Sequence, residues 1–227
     1  KVSGWAYSLS ENGITINLFG GNKLDTLLPD RSRLVLSQDT NYPWEGLVKI
    51  KVEECKSDDF EIAIRIPIWA KGATLSVNGA EMSSQPGTFA RITRNWQAGD
   101  EIVLDMPMKI KMIEGHPRIE EVRNQVAIKR GPVVYCLESP DLPAGTGILD
   151  VYFPQSSQLE ARYRQDVLGG LTTISGDVLL RSNETQGMYR TMSKPDWKTV
   201  RTTFVPYYAW CNRGRSEMTV WMPIVWD

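Results

Sequence analysis

The chain has 227 residues, with 26 basic and 27 acidic side chains, a net charge of −1 and a pI near 6.0. That balance lacks the positive field on which nucleic-acid binding leans, no apolar run approaches the ~18 residues of a membrane-spanning helix, and no charged start with an apolar core and small-residue cleavage site opens the chain. A soluble chain of two domains, roughly 100 to 120 residues each, is therefore expected, with neither nucleic acid nor membrane as partner and with its compartment left open.

A period of two dominates the chain from its first elements onward. Ile14 to Phe19 and Arg33 to Leu36 are short strand candidates, and Val48, Ile50 and Val52 then alternate with Lys49, Lys51 and Glu53. In Phe60 to Trp69, the side chains of Phe60, Ile62, Ile64, Ile66 and Ile68 share one face, with Pro67 marking where the strand runs at an edge or leaves the sheet. Ala73 to Ala80 offers a short strand ending in Asn78-Gly79, whose residue types suit the two positive φ angles of a type I′ hairpin; the returning strand is placed at Phe89 to Ile92. Glu101 to Met106 and Met108 to Met112 follow, and then Glu114-Gly-His-Pro-Arg118 breaks the pattern. The domain boundary is expected there, giving domains 1–114 and 115–227.

Beyond the seam, strands are expected at Val126 to Lys129, Val133 to Leu137, Asp150 to Phe153, Val178 to Leu180, Val200 to Val205 and Met218 to Trp221, with Ser139 to Gly147 as a long surface loop. No window of 12 residues sustains an i, i+3, i+4, i+7 apolar pattern, so helix should be limited to single turns. Many short strands separated by turns predict an all-β chain of two consecutive antiparallel β-sandwich domains, jelly-roll-like in order.

Few side chains offer chemistry. Cys136 and Glu138 in "RGPVVYCLE" (Arg130 to Glu138) share a strand face with Val134, while Val133, Tyr135 and Leu137 point the other way. A nucleophilic thiolate needs a neighbouring His, a helix N-terminus or a metal, and nothing near Cys136 in sequence supplies one; a small buried side chain is the expectation. Cys55, Cys136 and Cys211 are odd in number and widely spaced, which suits neither a disulfide framework nor a zinc ribbon, although one disulfide stays open on count. His116 is the only histidine and is expected to hydrogen-bond in a Gly-His-Pro loop. Asp58, Asp59 and glutamates 53, 54, 120 and 121 read as solvated charges. No catalytic or metal-binding residue is assigned.

Eight tryptophans raise the prospect of sugar stacking on flat aromatic faces. Trp44 in Asn41-Tyr-Pro-Trp-Glu-Gly46 and Trp197 in Lys194-Pro-Asp-Trp197 sit in polar, turn-like settings and are the carbohydrate-binding candidates. Trp5, Trp69, Trp96, Trp210 and Trp221 adjoin strands and are expected in the core.

Several stretches taken together resemble the C-terminal part of glycoside hydrolase family 127: Asp39 to Gly46, Ile64 to Trp69, Leu75 to Gly79, Asn124 to Glu138 and Val205 to Gly214. The family is typified by β-L-arabinofuranosidases. The resemblance implies two β-sandwich domains that follow an (α/α)6 catalytic barrel, and retaining hydrolysis by a cysteine at a zinc site of three cysteines and a glutamate, with a second glutamate as acid/base. All of those groups belong to the barrel. Its adjacent Cys-Cys pair has no counterpart here, and its cysteine two residues after the metal-binding glutamate is not matched by Cys136, which precedes Glu138. No catalytic residue carries over, and no cofactor is expected in this chain. The chain opens at Lys1 within folded-looking sequence, and a fragment of a longer protein is expected. The expected partner is the chain's own N-terminal barrel, with carbohydrate and a second copy of the chain as further candidates. Catalysis by unrecognised carboxylates is the remaining alternative.

Overall fold

A computed structural model describes residues 2–55, 59–181, 188–189 and 191–226; of the acidic side chains read as solvated charges, Asp58 lies outside them. The chain divides into two compact units, Lys1–Met108 and Lys109–Asp227. The division falls at Met108, ahead of the Gly-His-Pro seam, because the strand Ile110–Glu114 pairs along its whole length with Gln125–Arg130. Backbone pairing, rather than the break in composition, decides to which unit that strand belongs.

Among its described residues the first unit holds ten strands: β1 (Tyr7–Ser10), β2 (Gly13–Ile16), β3 (Asn22–Leu27), β4 (Arg33–Thr40), β5 (Leu47–Cys55), β6 (Phe60–Arg65), β7 (Thr74–Val77), β8 (Ala80–Met82), β9 (Phe89–Arg94) and β10 (Glu101–Asp105). They form a four-stranded sheet, β1-β2-β6-β9, and a six-stranded one, β3-β4-β5-β10-β7-β8. One core is filled from both: Ile14, Ile62, Ile64 and Ile92 from the first sheet, Leu36, Ile50, Leu75 and Leu104 from the second. This is the packing of a sandwich. Every pair is antiparallel except β2 with β6.

The alternation read in β5 is realised, with Val48, Ile50 and Val52 fully buried. In β6 it stops early. Pro67 ends the ladder, Ala70 donates its amide to the Pro67 carbonyl at 3.0 Å in a turn, and Ile68 is left 77% exposed. Asn78 and Gly79 do adopt φ of 50° and 80°, but the strand they return is the three-residue β8. Phe89–Arg94 pairs instead with β6 in the other sheet. β3 escaped the sequence reading because Asn22, Lys23, Asp25 and Leu27 are exposed and none of its six residues is fully buried, so no apolar face repeats along it.

The second unit holds β11 (Ile110–Glu114), β12 (Gln125–Arg130), β13 (Val133–Glu138), β14 (Val151–Pro154), β15 (Glu160–Arg164), β16 (Leu171–Arg181), β17 (Trp197–Pro206), β18 (Met218–Thr219) and β19 (Met222–Val225). β12 pairs with β19, β19 in parallel with β14, β14 with β16, β16 with β17, β17 with β13, and β13 back with β12. The pairings therefore close into a barrel-like ring, with β11, β15 and β18 added at its edges. Ile128, Leu137, Phe153, Ile174, Phe204 and Met222 fill its core. Among the described residues helix is confined to single 3-10 turns of three or four residues, and none is long and apolar enough to cross a membrane.

Candidate functional site

The stretch Val133–Glu138 becomes β13, and both of its faces are used. Val133, Tyr135 and Leu137 enter the ring's core. On the opposite face Val134 is exposed, but Cys136 and Glu138 are buried, at 0% and 1% exposure. Burial, followed by the nearby Glu138 charge, pushes the Cys136 thiol up to about 12. The thiol is held protonated, opposite to what a nucleophile or a thiolate ligand requires.

Glu138 is buried but fully engaged. Its Oε1 accepts from the Cys211 amide at 2.9 Å and from the Ser216 hydroxyl at 2.8 Å. Its Oε2 accepts from Arg213, through Nε at 3.1 Å and through Nη2. Arg213 reaches on to Asp141, with Nη1 to Oδ1 at 3.0 Å and Nη2 to Oδ2 at 2.5 Å. Burial works to raise the Glu138 pKa, yet Arg213, the Cys211 amide and the Ser216 hydroxyl together hold it below the ordinary glutamate value. The same carboxylates, Asp141 foremost, raise the Arg213 pKa further above its ordinary value.

This cluster fastens a loop to the end of β13. Ser139 donates its amide to the Glu217 carbonyl at 3.0 Å, its hydroxyl accepts from the Glu217 amide at 3.1 Å, and Thr202 donates its hydroxyl to the Asp141 carbonyl at 2.8 Å. Cys211 adopts φ of 66°, a left-handed conformation unusual for a side chain of its kind. Within the fastened loop the 3-10 turn Tyr207–Ala209 buries Ala209 and presents Tyr207, Tyr208 and Trp210 at 47%, 60% and 40% exposure. Tyr207 and Trp210 stand three residues apart, the spacing that places side chains on one side of such a turn. Sequence reasoning paired Glu138 with Cys136 and missed Arg213 and Asp141, because the ion pair spans 75 residues of chain.

The two tryptophan candidates lie in different units, Trp44 in the first and Trp197 in the second. Trp44 is half-buried in the turn between β4 and β5, donating its amide to the Asn41 carbonyl at 2.9 Å. Trp197 is half-buried at the start of β17, opposite Arg181, with its ring 4.9 Å from that of Tyr152 at 58°. It lines a groove of about 500 Å³ with Asp150, Arg181, Asp196, Lys198 and the stretch Pro143 to Thr146.

Trp96 is buried as expected and donates its indole N–H to the Phe60 carbonyl at 3.1 Å. Trp69 is half-buried and packs against the first core, stacked 6.5 Å from Tyr42, while Trp221 is half-buried. Trp5 and Trp210, expected in the core, are exposed, because each sits in a 3-10 turn or its continuation rather than on an inward strand position. His116 is exposed and its Nδ1 accepts from the Arg118 amide at 3.2 Å, a local turn bond. Glu53 and Glu54 are strand-face charges, engaged by Ser37 and Lys51 and by Arg33 respectively.

Cys55 belongs to the first unit and Cys136 and Cys211 to the second, and among the described residues no group of three or more His, Cys, Asp or Glu side chains is placed to hold a metal ion.

Residues 13–108 match the β-L-arabinofuranosidase GH127 middle domain, and residues 110–223 match the glycoside hydrolase family 127 C-terminal domain. A non-reducing end β-L-arabinofuranosidase from Bifidobacterium longum subsp. longum is 30% identical over 208 residues, covering 83% of this chain and 30% of that protein. Among solved structures, one described as a glycoside hydrolase superposes with a TM-score of 0.91 at 40% identity, covering 99% of this chain and 38% of its own. A GH127 β-L-arabinofuranosidase from Geobacillus stearothermophilus T6 gives 0.89 at 33% identity, with 99% and 35% covered. The chain thus spans about a third of the length of the relatives it matches. With both domain matches falling on the two compact units, the chain belongs to glycoside hydrolase family 127.

Proposed function

We propose that this chain is the non-catalytic β region of a larger glycoside hydrolase and that it supports a catalytic portion resembling a retaining β-L-arabinofuranosidase. The observation that carries this reading is the aromatic turn Tyr207–Trp210. Three large aromatic side chains stand exposed on a loop that the ion pairs of Arg213 with buried Glu138 and half-buried Asp141 hold in place. Fastening a loop so firmly to the ring, while leaving its aromatic face uncovered, is the arrangement of a contact surface. The family comparison supports the missing catalytic portion as the occupant: the matched domains are the middle and C-terminal ones, and some two thirds of each relative's length lies outside the match. The cofactor and the nucleophile belong, on this reading, to that outside portion.

Two measurements test it. The purified chain should release no product from an arylated β-L-arabinofuranoside, and release would assign it a site of its own. In the full-length polypeptide, replacing both Tyr208 and Trp210 with Ala should lower the melting temperature of the catalytic portion, and an unchanged value would remove the turn from the contact. A dimer of the isolated chain that the same double substitution abolishes would give the face to a second copy instead. Carbohydrate binding is the second reading, favoured by the groove beside Trp197.

A further inference from the structure

We infer that the groove beside Trp197 is a subsite for one neutral saccharide unit, with the indole as its stacking platform. The inference rests on the carbohydrate-binding reading and assigns it a place and a ligand class. The groove volume, about 500 Å³, falls within the range of roughly 300 to 1,000 Å³ usual for small-ligand sites. Trp197 is fixed on two sides: by the β16 ladder, where it faces Arg181, and by the Tyr152 ring 4.9 Å away. A ring so seated loses little freedom on contact with a ligand, so its apolar surface is available at small entropic cost.

The rim decides the class of ligand. Asp150 and Asp196 supply carboxylates, Arg181 and Lys198 supply cations, and the two signs cancel. A phosphate or a cation would meet as much repulsion as attraction there. Hydroxyl groups both donate and accept, so a polyhydroxylated neutral ring can use both kinds of partner while its C–H face lies on the indole. Arg181 is suited to this. Its guanidinium donates from Nη1 to the Tyr152 hydroxyl at 3.5 Å, the outer limit of such a contact.

The test is a titration of the purified chain with an arabinose disaccharide, followed by calorimetry and by saturation-transfer NMR of the sugar. Saturable binding with a dissociation constant on the order of millimolar is expected, as befits an open groove. Trp197→Ala should weaken it by about tenfold or more and Trp197→Phe by much less, the loss expected when one stacking face is removed. Trp44→Ala should leave it unchanged. Asp196→Ala, an exposed rim change, serves if Trp197→Ala lowers the melting temperature, and it too should weaken binding. Absence of saturable binding would overturn both the subsite and the carbohydrate reading. Binding that survives Trp197→Ala, or that Trp44→Ala removes, would overturn the subsite alone. Tighter binding of galacturonate than of the neutral sugar would overturn the ligand class.

Discussion

Arg213 is the side chain on which the loop after β17 depends. Replacing it with Ala leaves the buried Glu138 carboxylate without its counter-charge but with the Cys211 amide and the Ser216 hydroxyl, a loss of about 1 to 3 kcal/mol because Arg213 itself is partly open to solvent. Urea unfolding followed by a probe in the second unit should show a loss of that size for Arg213→Ala. Arg213→Lys should recover part of it, keeping the charge but not the fork that grips Glu138 and Asp141 together. Glu138 adds a pH dependence of definite sign. Its folded pKa lies below the ordinary value, so its stabilising share is present above the unfolded carboxylate range and is lost as pH falls through the folded value. Glu138→Gln should therefore flatten the fall of stability below roughly pH 4.5, the ordinary glutamate range; an unaltered acid limb would contradict the ion pair. Cys136→Ser should destabilise by about 1 to 2 kcal/mol, since it places a hydroxyl in a fully buried site. Alkylation of the native chain should mark exposed Cys211 and spare Cys136 until unfolding.

At the scale of elements, turns and close approaches set the order of the strands. Gly79 stands at φ of 80° in the β7–β8 turn, so Gly79→Ala should cost on the order of 1 kcal/mol. Gly46 has ordinary backbone angles but lies so near β10 that a Cβ would sit 1.7 Å from the Met106 carbonyl oxygen. Gly46→Ala should therefore cost more, about 1 to 3 kcal/mol, because two backbones must part, and thermal melts of the two glycine variants would show whether that ordering holds. Alternating strands with one buried face, such as β5, were legible from their period. β16 was read only at Val178 to Leu180, although it runs over eleven residues, because Thr172 and Thr173 are buried beside Leu171 and Ile174 and blur the alternation. The hairpin signal in Asn78-Gly79 was sound, but a local signal says where a chain reverses, and not which later strand shares its sheet.

For the whole molecule, closure of the second unit is the deciding feature. β19 is the last strand and completes the ring by joining β12 to β14. Ending the chain after Ser216 would remove β18 and β19 and leave β12 and β14 with open edges. Such a variant should lose the dispersed amide spectrum of the second unit while residues 1–108, with their own core, keep theirs; survival of both would show that closure is dispensable. The sequence by itself determined the all-β class, two domains, the near-absence of helix and the family, since strand period, turn residues and local motifs are short-range properties. Only the tertiary structure decided which sheet receives each strand, where the units divide, and that Glu138 meets Arg213 and Asp141 rather than serving beside Cys136. Those outcomes depend on contacts between residues distant along the chain, some 70 to 80 positions apart in the Glu138 cluster, fixed by packing and by the need to neutralise a buried charge, and no local spacing encodes them.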